Sequence, residues 1–362
     1  RVVEQLAHPE NGIIAPGTQL GLKPTGTGPF KFVQYQKGQR IDVLRNDAYW
    51  GQKARLEKLA FRFMPDANTR LLALQAGEVD MIFDLPREAV ATLKSRQGFR
   101  IVDAPVDQTL LFYVNSHGKP GYDLLGDHSV RQALAMTIDH ETIVNKVLDG
   151  TAQRNSAMAP ASILGEFAGL VQGITYDMAG AQKLLDDAGW RKGTDGIRAK
   201  DGRRLTLTLV SAPTIDKSVL EFMQARWREA GIDAKLMNSP DFPSYQQFIN
   251  NTFEFDLDAE LPNQNDANPI FLPALRVYSK AAAKSAPLIA PGGAADRLIE
   301  EGLAATDYRT VQQKAAQAMH QLIDLDVAVI PIAGYFRIYA MKDKVQGFVP
   351  HPSQTSQPMN QV

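Results

Sequence analysis

The chain has 362 residues, more than one ordinary domain holds, so two lobes are the default. Its 44% hydrophobic and 22% charged residues are those of a globular protein, and a net charge of −1 argues against nucleic acid and against a polybasic grip on membranes. It has no cysteine, which excludes disulfides, thiol catalysis and cysteine-ligated zinc, and no run of about 18 apolar residues that would span a membrane.

In chain order, Arg1 opens on RVVEQLA, which reads as the tail of a helix belonging to a longer protein. Residues 7–25, rich in Gly and Pro, read as loop. Residues 30–35 and 40–45 form a hairpin around Lys37-Gly38. Leu59, Phe61 and Phe63 alternate as a strand that Pro65 and Asp66 end. Asn68 is placed to cap a helix whose stripe is Leu71, Leu72 and Leu74, and Gly77 to close it in the left-handed conformation. Val79, Met81 and Phe83 alternate again. A strand–helix–strand crossover of this kind predicts parallel strands.

Residues 86–96 read as a short helix, and 99–104 and 109–115 as strands. Ser129 caps a helix through Val130, Ala133, Leu134 and Ile138, and Asp139 starts another that Gly150 stops. Residues 151–175 read as irregular loop, 177–188 as helix, 205–210 as strand and 217–230 as helix. Strands follow at 232–237 and 253–259, with 241–250 helical between them. Residues 280–293 read as flexible or weakly ordered. Two helices, 294–305 and 308–325, lead to strands at 327–333 and 336–341. The pattern is α/β.

The six histidines, His8, His117, His128, His140, His320 and His351, show no HExxH and no close paired spacing, so no metal set is read from them. Gly26-Thr27-Gly28 lacks the Lys-Ser/Thr of a phosphate loop, and no nucleophile elbow occurs. The carboxylate pairs Asp186-Asp187 and Glu300-Glu301 sit in helical stretches with solvated faces. No cofactor is expected. The stretch most suited to a ligand is ELPNQNDAN, 260–268, where Asn263, Asn265 and Asp266 follow a buried-looking strand; a plain Asn-rich loop is the competing reading. On the strand at 109–115, Leu111, Tyr113 and Asn115 alternate to one face.

One set of words is more specific. Gly26-Thr27-Gly28-Pro29-Phe30, Arg45-Asn46, Tyr49-Trp50, Asp66, Thr69-Arg70, Ala73-Leu74 and Gly77-Glu78-Val79-Asp80 stand in order, and VRQALAMTIDHETIV follows. Together they resemble the extracytoplasmic solute-binding proteins of peptide and nickel ABC importers, family 5, with the resemblance thinning toward Phe348. It implies a two-lobed periplasmic-binding-protein-like (type II) α/β fold whose first lobe is incomplete in this N-terminally truncated stretch. Lobe one would be 1–107 plus 333–362, and lobe two 108–332.

The resemblance also implies a receptor, not an enzyme, that captures a peptide-like or other small solute in an interlobe cleft. Its partners would be that small-molecule or oligopeptide ligand and ABC transporter permease subunits, with no nucleic acid. The location would be periplasmic or extracellular, with membrane contact only through the permease or a missing N-terminal anchor. Leu111, Tyr113, Asn115 and Tyr335 would lie near the cleft. Peptide-binding members carry Gly-Trp and then an Asp that pairs with the peptide amino terminus; here Leu261-Pro262 replaces Gly-Trp, and Asn265 stands at the Asp position beside Asp266. That departure implies a ligand without a free α-amine at this spot. The alternatives are a hydrolase using cleft carboxylates and a sensory or structural ectodomain.

Overall fold

In the computed structural model, residues 18, 24–262, 268–280, 288–350 and 359 are described, with the backbone alone at 105–107. The chain divides into two compact units: a split unit, residues 2–106 and 336–362, and a continuous unit, residues 107–335.

The strands, in order, are β1 (Phe30–Gln36), β2 (Arg40–Arg45), β3 (Lys58–Arg62), β4 (Met81–Ile82), β5 (Phe99–Val114), β6 (Ala152–Gln153), β7 (Arg191–Lys192), β8 (Arg198–Lys200), β9 (Arg203–Arg204), β10 (Thr206–Ser211), β11 (Asp233–Asn238), β12 (Leu257–Glu260) and β13 (Val329–Lys342). Two of them, β5 and β13, run from one unit into the other.

In the split unit, β1, β2 and β3 form an antiparallel sheet, with Val43 opposite Phe32 on one side and Leu59 on the other. The Ala67–Ala76 helix then carries the chain away. Its cap is Asp66, whose side chain accepts from Thr69 N, and not the expected Asn68, which lies two residues further on, inside the first turn; the free N–H groups of that turn point back at Asp66. Gly77 closes the helix at φ 83°, as its position predicts. Leu74 is fully buried, but Leu72, expected on the stripe, is 64% exposed. The core here is Leu74, Ile82, Leu85, Leu93, Ile338 and Ala340.

The parallel crossover predicted for 59–84 does not form. Strand β3 ends the first sheet, whereas β4 pairs antiparallel with β13, Ile82 opposite Ala340. The helix therefore links two sheets. Arg70 explains the joint: its guanidinium donates to the carbonyls of Met64 (2.8 Å) and Pro65 (2.8 Å) at one exit and of Phe83 (3.1 Å) and Asp84 (3.1 Å) at the other. Four backbone acceptors that a continuous ladder would have used are satisfied by one side chain.

In the continuous unit the strand order is β11-β10-β12-β5-β13, with β6 on β13 at Tyr335 opposite Ala152. Strands β11, β10 and β12 are parallel, joined by the Lys217–Ala230 and Phe242–Asn251 helices, and β5 runs antiparallel to β12. The Lys217–Ala230 helix has its predicted bounds; Leu220, Met223 and Trp227 are buried, and the Trp227 ring lies 5.8 Å from Phe112 of β5.

Four expectations need correction here. The strands at 99–104 and 109–115 are one strand, β5, and those at 327–333 and 336–341 are one strand, β13. The loop 151–175 contains β6, the Ala161–Leu164 helix and a Gly165–Leu170 3-10 turn. The first helix near 129 is capped by Asp127, which accepts from Ser129 N, so Ser129 lies inside it. A small sheet, β7-β8-β9, follows residue 190; its strands of two or three residues are too short for a period to register.

Candidate functional site

Strands β5 and β12 fix the geometry. Their register sets Glu260 opposite Leu111 and Asp258 opposite Tyr113, and Asn115 N donates to Asp256 O (2.9 Å). Residues directly opposite share a face and successive residues alternate. One face of the pair thus carries Leu111, Tyr113 and Asn115 together with Asp256, Asp258 and Glu260, while Phe112, Val114, Leu257 and Ala259 occupy the other.

Three carboxylates on one buried strand face require compensation. Arg276, the last residue of the Phe271–Arg276 helix, supplies most of it. Its Nη2 donates to Glu260 Oε2 and lies 4.0 Å from Asp258 Oδ2, and its guanidinium stacks over the Tyr113 ring at 5.5 Å. Tyr245 from the Phe242–Asn251 helix donates its hydroxyl to Asp258 Oδ1 at 2.6 Å. Among the described residues the Tyr113 hydroxyl, on a residue 1% exposed, meets no partner at hydrogen-bonding geometry.

The electrostatics follow. Burial raises both Asp258 and Glu260 above the ordinary carboxylate range; their mutual repulsion adds to this at Asp258, and Arg276 opposes it at both. Burial works against the charge on Arg276, but Glu260, Tyr113 and Asp258 outweigh it and hold that pKa high. Burial raises the two tyrosines, first and foremost, and neither ionises in the working range. Two carboxylates thus share one guanidinium, an arrangement that favours retention of a proton between them. Asp256 stands apart: Oδ2 accepts from Thr208 N (2.7 Å), Oδ1 has no partner among the described residues, and burial pushes the carboxyl up to about 7.

Of the residues expected to hold ligand, Leu111 and Tyr113 come together inside the core cluster of the continuous unit. Asn115 is buried and donates Nδ2 to Phe255 O at 2.9 Å, so its amide is spent on the end of the neighbouring strand. Tyr335 is 9% exposed on β13. Asn263, Asn265 and Asp266 lie outside the described residues. The Arg276–Glu260–Asp258–Tyr245 cluster is the part that reading the sequence missed. Its signal was present: Asp256, Asp258 and Glu260 recur at every second residue of a strand, which places three acids on one face. The arrangement orients charge and holds protons; it offers no nucleophile beside a base. Among the described residues no group of three or more His, Asp or Glu is placed to hold a metal ion.

A family model for bacterial extracellular solute-binding proteins, family 5 (middle), matches residues 3–281. The chain belongs to that family. It is 28% identical over 356 residues to the nickel-binding periplasmic protein of Escherichia coli (strain K12), a match over 95% of this chain and 66% of that protein. It is 31% identical over 220 residues to the dipeptide-binding protein of the same organism, 60% of this chain and 39% of the relative. The chain thus spans less than two thirds of the length of these relatives. Among solved structures it is similar to NikA from Brucella suis in complex with Fe(III)-EDTA, with TM-score 0.81 and 26% identity over 92% of this chain and 67% of that one. An ABC transporter substrate-binding protein from Sinorhizobium meliloti matches at TM-score 0.75 and 27% identity over 96% of this chain and 69% of that one. The fold is that of the family 5 periplasmic binding proteins, a family of substrate-binding transport proteins. No helix among the described residues is long and apolar enough to cross a membrane.

Proposed function

We propose that this chain is part of a solute receptor that delivers its ligand to the permease of an ABC importer outside the cytoplasm, and that it performs no chemistry on that ligand. The family match over residues 3–281 carries the reading. It is supported by a buried cluster whose carboxylates are engaged by Arg276 and Tyr245 and are not poised for attack. On this reading, Leu111, Tyr113, Asn115, Tyr335 and residues 263–266 belong to the lobe that holds the ligand.

We further propose that Asn265 replaces the charge that would pair with a peptide amine. An amide offers a dipole and no compensating charge, and a buried unpaired ammonium costs several kcal/mol. The preferred ligand then lacks a free α-amine at that spot.

The test is thermal unfolding of the full-length protein with four probes: Ala-Ala, N-acetyl-Ala-Ala, glutathione and nickel(II) with histidine. Mass spectrometry of each probe follows. A ligand at 100 times its dissociation constant adds about 2.7 kcal/mol and returns unaltered. Conversion of a probe would overturn the receptor reading. Tight binding of Ala-Ala, abolished by Asp266→Asn but not by Asn265→Ala, would reverse the assignment within the loop and leave the receptor reading standing.

A further inference from the structure

A small pocket in the continuous unit is lined by His140, Arg154, Asn155, Ser156, Ile330 and Pro331, among others. Its lining carries one ionisable group besides the Arg154 guanidinium, the His140 imidazole, and no carboxylate. Arg154 is exposed and makes no hydrogen bond or ion pair among the described residues. The acid that acts on His140 is Asp139, and both of its carboxylate oxygens are engaged in capping: Oδ1 accepts from Thr142 N (3.0 Å) and Oδ2 from Thr142 Oγ1 (2.7 Å). Asn155 is likewise engaged, donating Nδ2 to Thr109 Oγ1 at 2.6 Å.

The imidazole tautomer is set by its neighbour. His140 Nδ1 lies 2.9 Å from Ile332 O. A carbonyl only accepts, so Nδ1 carries the proton and neutral His140 presents Nε2 as an acceptor. Among the described residues Nε2 makes no hydrogen bond.

We propose that this pocket is a small-oxyanion site, taking a carboxylate or phosphate group between Arg154, His140 and the Ser156 hydroxyl. Arg154 supplies the planar donor fork suited to such groups. For His140 to donate as well, Nε2 must gain a proton from solvent while Nδ1 keeps its bond to Ile332. Binding therefore takes up one proton and strengthens as pH falls. In the free protein burial holds the His140 pKa below its ordinary value; the Ile332 carbonyl and Asp139 oppose this, and the Arg154 charge adds to it. An anion between the two cations reverses the Arg154 contribution.

The site does not depend on the receptor reading, and its test needs no transported solute. The His140 ring nitrogens are titrated by NMR on the whole chain in sodium phosphate and in sodium acetate, each against sodium chloride at equal ionic strength; His140→Gln identifies the signals. With at least one oxyanion the midpoint rises by about half to one pH unit. Arg154→Gln removes the rise and, because Arg154 is exposed, leaves the unfolding temperature unchanged. Equal midpoints in chloride and in both oxyanions, or a rise that persists in Arg154→Gln, would overturn the site. The relative effect of phosphate and acetate tells which oxyanion it prefers.

Discussion

Arg276 is the residue on which the buried face of β5 and β12 depends. It meets Glu260, approaches Asp258 and covers Tyr113, with its side chain 19% exposed. Replacing it with Met leaves two carboxylates in a dry site without a cation. That loss is expected to cost about 3–5 kcal/mol in urea unfolding at pH 8. The cost should shrink as pH falls, because burial raises both acids and each proton taken up removes an unpaired charge. Asp256 makes a second prediction. Its folded pKa is about 7 against an ordinary 3.8, raised by burial. The folded state then holds a proton that the unfolded chain releases first, so stability falls as pH rises from about 4 to about 7. Asp258 acts in the same direction. Asp256→Asn cannot release a proton, so the fall of the urea midpoint across that window should flatten; an unchanged slope would show that burial does not control this carboxyl.

At the scale of elements, the Arg70 joint ties together two strand ends in the split unit. One guanidinium satisfies the carbonyls where β3 ends and where β4 ends. Lysine keeps the charge but not the fork. Arg70→Lys should therefore destabilise by about 2 kcal/mol, measured as a shift in urea midpoint. Hydrogen exchange should quicken at 63–66 and 82–85 before the rest of the chain. A uniform change in exchange would mean that the helix position, and not this side chain, holds the two sheets' ends together.

At the scale of the whole molecule, the two units differ in how the chain supplies them. The continuous unit holds an uninterrupted set of strands and helices around a core that includes Leu111, Tyr113, Ile270, Ile299, Met319 and Val329. The split unit is assembled from the two ends of the chain. The segment 107–335 expressed alone should fold and unfold cooperatively, followed by the fluorescence of Trp190 and Trp227, which are buried there. A broad, non-cooperative transition would mean that the continuous unit needs residues outside it.

The sequence alone determined what local period and punctuation can encode. Leu220, Met223 and Trp227 recur at helical spacing, so the Lys217–Ala230 helix was legible to the residue. Gly77 was legible as a left-handed stop because of its place after an apolar stripe. The ordered words from Gly26 to Asp80 were enough to point to family 5, and the family match agrees. Pairing was decided elsewhere. Nothing local distinguishes a helix that crosses over one sheet from a helix that joins two, because the choice lies in which distant strand β4 meets, and that strand is 258 positions away at Ala340 for Ile82. The site divides in the same way. Leu111, Tyr113 and Asn115 were legible as one face, since alternation is a property of a single strand. That Asp258 stands opposite Tyr113, and that Arg276 closes over both, required the register of β12 on β5. A buried charge shows its partner only in three dimensions, because desolvation and Coulomb attraction act across space and leave no period in the chain.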